Sequence, residues 1–319
     1  MEYSVFLFST QALTLVDYPF PDFHPHGIAL RSTPTGLTAY VVNHRVVGGD
    51  DSAGFSTFDS VSVFAVNVEE GTARFLSDKT SPAFRSINNL ALLTDSDAFV
   101  TNYRYYNPVD PLALLETYLQ LPWSYLLRCD LGDPAVTGEA ACKIVADKIK
   151  MANGVEIDKA GEKVYVAGSL AKQLLPFELE GEALVPLPPV PLGQLPDNIS
   201  WGNDDTLLIA GHPKAFKFMA HGLDPENVES PCQVDYYHVP DDALHTVHLS
   251  EKSVPKVNHP TGKGTPAISA CTTMAVAGNG RSYVGSVYQR GILECHGYEA
   301  NGEWDKGHRA KWGGGGGTE

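Results

Sequence analysis

The chain has 319 residues, 43% of them hydrophobic, with 30 Gly and 22 Pro, enough to bury one large all-β domain or two smaller ones. Its formal net charge of -15 argues against a nucleic-acid partner, because phosphate binding needs clustered Lys and Arg. The same charge favours a cation at any carboxylate-lined site.

At the N-terminal end, Tyr3 to Val16 is fairly apolar, but Glu2 precedes it and neither a basic n-region nor a small-residue cleavage site is present. It reads as a strand pair rather than a signal peptide. No stretch is long and apolar enough to span a membrane. Next comes Phe23-His24-Pro25-His26-Gly27-Ile28, followed by an apolar run that ends in Asn43-His44. One histidine thus opens a predicted strand and a second closes the next. Alone, such a histidine is most simply a solvated or capping residue.

An internal repeat changes that reading. Each copy opens on polar residues, runs through a short apolar strand and a turn, and ends in a strand rich in aromatic and β-branched residues. The copies are His26-Gly27-Ile28 leading to Ala39–Val42, Asn88-Asn89-Leu90 to Ala98–Thr101, and Asn153-Gly154-Val155 to Val164–Ala167. Asp197-Asn198-Ile199 leading to Leu207–Ala210 and Thr273-Met274-Ala275 leading to Ser282–Gly285 complete the set. Each spans a hairpin with a short turn, and the irregular spacing between copies suits propeller blades with variable outer loops. A β-sandwich also supplies short strands, but it does not explain the shared polar opening. In a propeller the first strands line a central channel, so the openings converge.

Between copies, Asp110 to Leu121 predicts a helix with Pro111 near its start and Leu112, Leu114, Leu115, Tyr118 and Leu119 on an apolar side. Val185 to Leu195 reads as a crossing loop and Gly222 to Val239 as a polar outer insertion. Gly313 to Gly317 cannot pack, and residues 301–319 are expected to form a flexible tail beyond a propeller of residues 1–300. The five cysteines, Cys129, Cys142, Cys232, Cys271 and Cys295, lack CxxC spacing and suggest no zinc site. An odd number leaves at least one thiol unpaired within the chain.

Side by side, the openings give His26, Asn88, Asn153, Asp197 and Asn198. The last four offer oxygen donors of the type that calcium prefers, and a hard cation is the simplest way to satisfy a ring of buried polar groups. Asn198-Ile199-Ser200 also matches a glycosylation sequon, a match that is spurious if Asn198 faces the axis. No Gly-x-Ser-x-Gly element is present, which disfavours a serine hydrolase of the α/β type.

These motifs, with Val41-Val42-Asn43-His44, Ile87-Asn88-Asn89-Leu90, Ala152-Asn153-Gly154, Gly211-His212-Pro213 and Trp123-Ser124-Tyr125, resemble the serum paraoxonase/arylesterase family of calcium-dependent lactonases. The resemblance implies an all-β, six-bladed β-propeller, here with its first blade incomplete and one short helix over the top face. It implies a lactone or aryl-ester hydrolase acting on a small-molecule substrate. By the same resemblance His26 is the general base and His44 the histidine behind it. His212 lies on the substrate-pocket wall, and Asn88, Asn153, Asp197 and Asn198 are ligands of a catalytic Ca2+.

Departures from the family pattern shape the remaining expectations. The adjacent Glu-Asp pair of the family's first blade would lie upstream of Met1. Asn89 stands where the family has an Asp ligand of a second, structural calcium, so only the catalytic ion is expected. Tyr103-Arg104 replaces an acidic-basic pair beside the dyad. Cys295 matches the late member of a family disulfide whose partner would also lie upstream. An incomplete or alternatively started gene product is one explanation; a diverged, non-catalytic propeller that binds a ligand or protein on its loop face is the other. A sugar-lactone hydrolase or a strictosidine-synthase-like propeller shares the architecture. Family members are typically secreted or membrane-tethered, which leaves the compartment open. Specificity is expected in loops such as Val46 to Asp59.

Overall fold

The computed structural model describes residues 12–33, 36–47, 56–107, 110–132, 141–203, 205–249, 257–258, 264–265, 268–277, 281–288, 292–296 and 310–313. These residues form an all-β propeller fold with two short helices. The chain divides into two compact units, residues 11–190 and the chain from Pro191 onward.

The first unit opens with β1 (Thr14–Val16), followed by an antiparallel meander of β2 (Pro25–Thr33), β3 (Gly36–Val47), β4 (Ser56–Asn67) and β5 (Thr72–Lys79). Strand β1 joins the outer edge of this sheet by parallel pairing with β5. The second sheet is β6 (Ile87–Leu92), β7 (Asp97–Asn102), helix α1 (Pro111–Tyr118), β8 (Ser124–Asp130) and β9 (Cys142–Ile149). The third is β10 (Ala152–Ile157), β11 (Lys163–Gly168), β12 (Gln173–Glu180) and β13 (Ala183–Pro186), with β14 (Val190–Pro191) also paired to β12.

In the second unit, β15 (Leu195–Trp201), β16 (Thr206–His212), helix α2 (Ala215–Leu223), β17 (Gln233–His238) and β18 (Ala243–His248) form the fourth sheet. A two-stranded ribbon, β19 (Val257–Asn258) with β20 (Gly264–Thr265), precedes the fifth sheet. That sheet is β21 (Cys271–Val276), β22 (Arg281–Ser286), β23 (Ile292–His296) and β24 (Ala310–Gly313).

The described residues therefore hold five blades where six were expected, three of four strands and two extended to five, and the first of them contains a complete four-stranded meander. Each predicted hairpin opens a blade. Alternating apolar residues explain the stacking within each unit, where the facing sides of neighbouring blades cover one another. Val42, Val61 and Val63 of the first blade pack with Leu90, Val100 and Leu127 of the second. Phe99 and Leu126 of the second pack with Val155, Val164 and Val166 of the third. In the other unit, Leu208, Ala210 and Tyr236 pack with Met274 and Val284.

Several expectations need correction. A second helix, α2, follows the Gly211-His212-Pro213 motif. The segment expected to be an outer insertion contains β17, because its Val234, Tyr236 alternation supplies a buried strand face. Within the expected tail, Ala310–Gly313 pairs with β23 as an outer strand. Helix α1 forms where expected, with Pro111 at its start and the Asp110 side chain accepting the Leu112 N–H at 2.8 Å. Its orientation is the reverse of the expected one. Leu112, Leu114, Leu115, Tyr118 and Leu119 are exposed, while Ala113 and Glu116 are buried. Glu116 sets this rotation, because its carboxylate accepts the backbone N–H groups of Tyr105 and Tyr106, and a buried anion must be so satisfied.

Two disulfides form, Cys129–Cys142 between facing residues of β8 and β9, and Cys232–Cys271 across 39 residues of sequence. The upstream pairing expected for Cys295 concerns a side chain outside the described residues. Cys232 and Cys271 are fully buried against the core between the last two blades. Replacing both by Ala should lower unfolding stability by about 3–4 kcal/mol, from the lost loop constraint. Guanidinium melts would show the loss as a lower midpoint, and an unchanged midpoint would contradict the bond.

Candidate active site

All five hairpins carry the same defect at the same place. Between Pro25 and Ile28 on β2 the partner strand advances only from Asn43 to Val41, so one residue is extra. The shift recurs between Ile87 and Leu90, Ala152 and Val155, Pro196 and Ile199, and Cys271 and Thr273. Each is a β-bulge, which bends a strand and re-aims its side chains. His26, Asn88, Asn153, Asp197 and Asn198 all lie inside these bulges. The shared polar opening read in the sequence is thus the chemical trace of a repeated backbone bulge.

In the first unit the bulges are fitted to one another. Strands β2 and β10 both pack beside β6. A Cβ on Gly27 would lie 2.4 Å from the Asn88 carbonyl oxygen and 2.6 Å from Asn89 Cα, so only glycine allows this approach. The Thr101 hydroxyl accepts the Asn89 N–H (3.0 Å) and donates to the Asn153 carbonyl (2.5 Å). The Ser124 hydroxyl accepts the Ala152 N–H (2.7 Å) and donates to the Asn102 carbonyl (2.5 Å). Two buried hydroxyls therefore tie the second blade to the opening of the third.

His26 and His44 meet. His44 Nε2 lies 3.2 Å from His26 Nδ1, and the rings are edge-on at 5.1 Å. The backbone holds them in place: the His44 N–H donates to the His24 carbonyl, and the Asn43 side chain accepts the His24 N–H. Asn43 also donates to the Tyr18 hydroxyl, which anchors the incoming chain in a cluster with Phe20, Phe23, Phe64 and Phe75.

Behind His44 stands a carboxylate that the sequence reading missed. Asp59 faces His44 directly in the β3–β4 ladder. Its Oδ1 lies 2.8 Å from His44 Nδ1 and its Oδ2 accepts the Ile87 N–H at 2.8 Å. Its side chain is 2% exposed, against 25% for His44. Asp59 thus supplies the carboxylate beside the dyad. The signal was present in the sequence: pairing Val42 with Val61 across the β3–β4 hairpin sets His44 opposite Asp59.

Ahead of His26, Asn88 Nδ2 lies 3.1 Å from His26 Nε2. Asn88 Oδ1 is buried with no hydrogen-bond partner, and so is Asn153 Oδ1. An unmade bond at a buried carbonyl oxygen costs about 1–3 kcal/mol, and two such oxygens on adjacent bulges are the donor type a hard cation takes. They fit calcium. Among the described residues no group of three or more His, Cys, Asp or Glu side chains forms a metal cluster, so these amides are the observed candidates. Asn89 serves the backbone, its Oδ1 accepting the Leu90 N–H at 2.8 Å. Glu156, further along β10, does not add a carboxylate. Its residue keeps part of its surface exposed, but enclosure of the carboxyl pushes its pKa up to about 8, so it is mainly protonated at neutral pH.

In the second unit, His212 closes β16 at 3% exposure, with Nε2 3.1 Å from Asp197 Oδ2. Its ring stacks on Phe218 of α2, with centroids 3.6 Å apart. Phe218 had no sequence signal, since the helix that carries it was not foreseen. Asn198 sits beside Asp197 in the fourth bulge.

The arylesterase family model matches residues 14–290, and the chain belongs to that family. It is 28% identical to serum paraoxonase/arylesterase 1 of Rattus norvegicus over 273 residues, covering 85% of this chain and 68% of that protein. It is also 28% identical to serum paraoxonase/arylesterase 2 of Bos taurus over 213 residues, covering 65% of this chain and 54% of that protein. The chain thus spans about half the length of the bovine relative. The Pseudomonas aeruginosa periplasmic gluconolactonase PpgL is similar over 89% of this chain and 85% of its own, at 12% identity and a TM-score of 0.47, too distant to carry weight.

The fit of the bulges is directly testable. Gly27→Ala should lose on the order of 1–3 kcal/mol, because the new methyl has nowhere to go but into β6. Urea melts would measure it, and a variant as stable as the parent would show that the two bulges are not in close contact.

Proposed function

We propose that the chain is a calcium-dependent hydrolase of lactones and aryl esters, in which His26 activates water. The observation that carries this reading is the continuous chain Asp59–His44–His26, with two orphaned amide oxygens on the neighbouring bulges. Family membership supports hydrolysis of an ester bond; the geometry supports the roles.

The ion would be held through the carboxamide oxygens of Asn88 and Asn153. Asp197 and Asn198 lie in the other unit, where Asp197 faces His212. Calcium, when bound, polarises the ester carbonyl and stabilises the oxyanion that forms. The chain's own residues handle the proton. His26 is exposed, so water can take the place of the Asn88 amide at its Nε2. An imidazole is the side chain suited to accept that proton around neutral pH. Its Nδ1 already faces His44, so the new positive charge is shared with the second ring. The nearly buried Asp59 anion behind His44 stabilises it. The hydroxide adds to the carbonyl carbon, and His26 returns the proton to the departing alkoxide or phenolate oxygen.

Purified protein with calcium should hydrolyse phenyl acetate or a simple lactone, and His26→Gln should lower kcat/KM by about 10²–10⁴-fold. Turnover that is unchanged in His26→Gln, or absent from the parent with calcium present, would sink the reading.

A further inference from the structure

We infer that Asp59, which touches neither substrate nor ion, positions the Asn88 carboxamide by fixing the tautomers of both histidines between them. The inference rests on the calcium reading only for its consequence, not for the relay itself.

A carboxylate can only accept hydrogen bonds. One Asp59 oxygen takes the Ile87 N–H and the other faces His44 Nδ1, so His44 carries its proton on Nδ1. In a neutral ring, His44 Nε2 is then an acceptor. His26 Nδ1, 3.2 Å away, must donate to it, which leaves His26 Nε2 as an acceptor. The group facing that nitrogen at 3.1 Å is the Asn88 side chain, and only its NH2 end can donate. Asn88 Oδ1 is thereby turned away from His26, where it is buried without a partner. Three hydrogen bonds in one direction, Asn88 to His26 to His44 to Asp59, thus transmit the acceptor character of a buried carboxylate to the amide that offers its oxygen to a cation.

The device depends on charge type rather than shape. In Asp59→Asn, the amide oxygen still takes the Ile87 N–H, but the NH2 now points at His44 Nδ1. The direction of the three relay bonds reverses: His44 and His26 both become Nε2–H, and Asn88 must turn its oxygen toward His26. The Asn88 oxygen is then lost to the ion although no ligand has been changed. Substitutions behind metal-binding groups typically cost about 10–100-fold in affinity.

The test has two readouts on the intact chain. The first is the ¹⁵N–¹H long-range spectrum of the histidine rings in calcium-free protein, recorded well above the imidazole pKa of about 6.5. Both His26 and His44 should be Nδ1–H tautomers in the parent and Nε2–H in Asp59→Asn. A parent spectrum with His26 as Nε2–H overturns the inference whatever the variants do. The second is calcium titration by calorimetry. Asp59→Asn should bind about tenfold or more weakly, and Asp59→Glu, which keeps the acceptor, should recover both affinity and tautomers. Parent-like affinity in Asp59→Asn with reversed tautomers overturns the coupling. If Asp59→Asn does not fold, His44→Gln, at a partly exposed position, asks the same question, because a residue that can donate or accept breaks the fixed direction. Its calcium affinity should fall, and unchanged affinity overturns the coupling. A parent that binds no calcium sinks the metal reading, while the ring spectra still decide the relay.

Discussion

The feature on which the rest of the structure depends is a one-residue bulge at the start of every inner strand. Without it, a strand of alternating residues would send the polar openings into the same packed faces that hold Val42, Val100 and Val155. The extra residue breaks the alternation just before the apolar run begins. Each blade thereby keeps a continuous core and still presents at least one polar residue at its opening. The cost is local: backbone groups that leave the ladder must be satisfied elsewhere. In the first unit the hydroxyls of Thr101 and Ser124 and the carboxamide of Asn89 do this.

On this frame the chemistry becomes a matter of hydrogen-bond direction. Asp59 is buried, accepts from the backbone of the next blade, and leaves one oxygen for His44. Packing and polarity are coupled there, because the same carboxylate that joins β4 to β6 also aligns the rings. The orphaned oxygens of Asn88 and Asn153 are the remaining imbalance, and a cation offsets it more fully than a neutral group. The net charge of -15 points the same way, since a cation is drawn to the chain as a whole.

Much of this was legible in the sequence. Five hairpins stand where the repeat put them, and His26 and His44 are in contact as the motif implies. The repeat was visible because each bulge sets polar residues just ahead of an apolar run, and because Gly27 is required where the first bulge meets Asn88. Asp59 was missed because a lone Asp within an alternating strand looks like a solvent-facing residue, and only the cross-strand register reveals its partner. The face of α1 was misjudged for a related reason. A buried Glu116 that caps Tyr105 and Tyr106 outweighed the apolar stripe, and single-helix periodicity cannot register a distant backbone demand. The disulfides depend on strand pairing in the same way: Cys129 and Cys142 are 13 apart in sequence and face each other only in the ladder.

The most direct measurement is a crystal structure of the protein grown with calcium, with the ion located by anomalous scattering. The account predicts an ion bonded to Asn88 Oδ1 and Asn153 Oδ1, with the Asn88 NH2 still directed at His26 Nε2 or at a water between them. An ion bound elsewhere, or Asn88 turned with its oxygen toward His26 while the ion is absent, would contradict it.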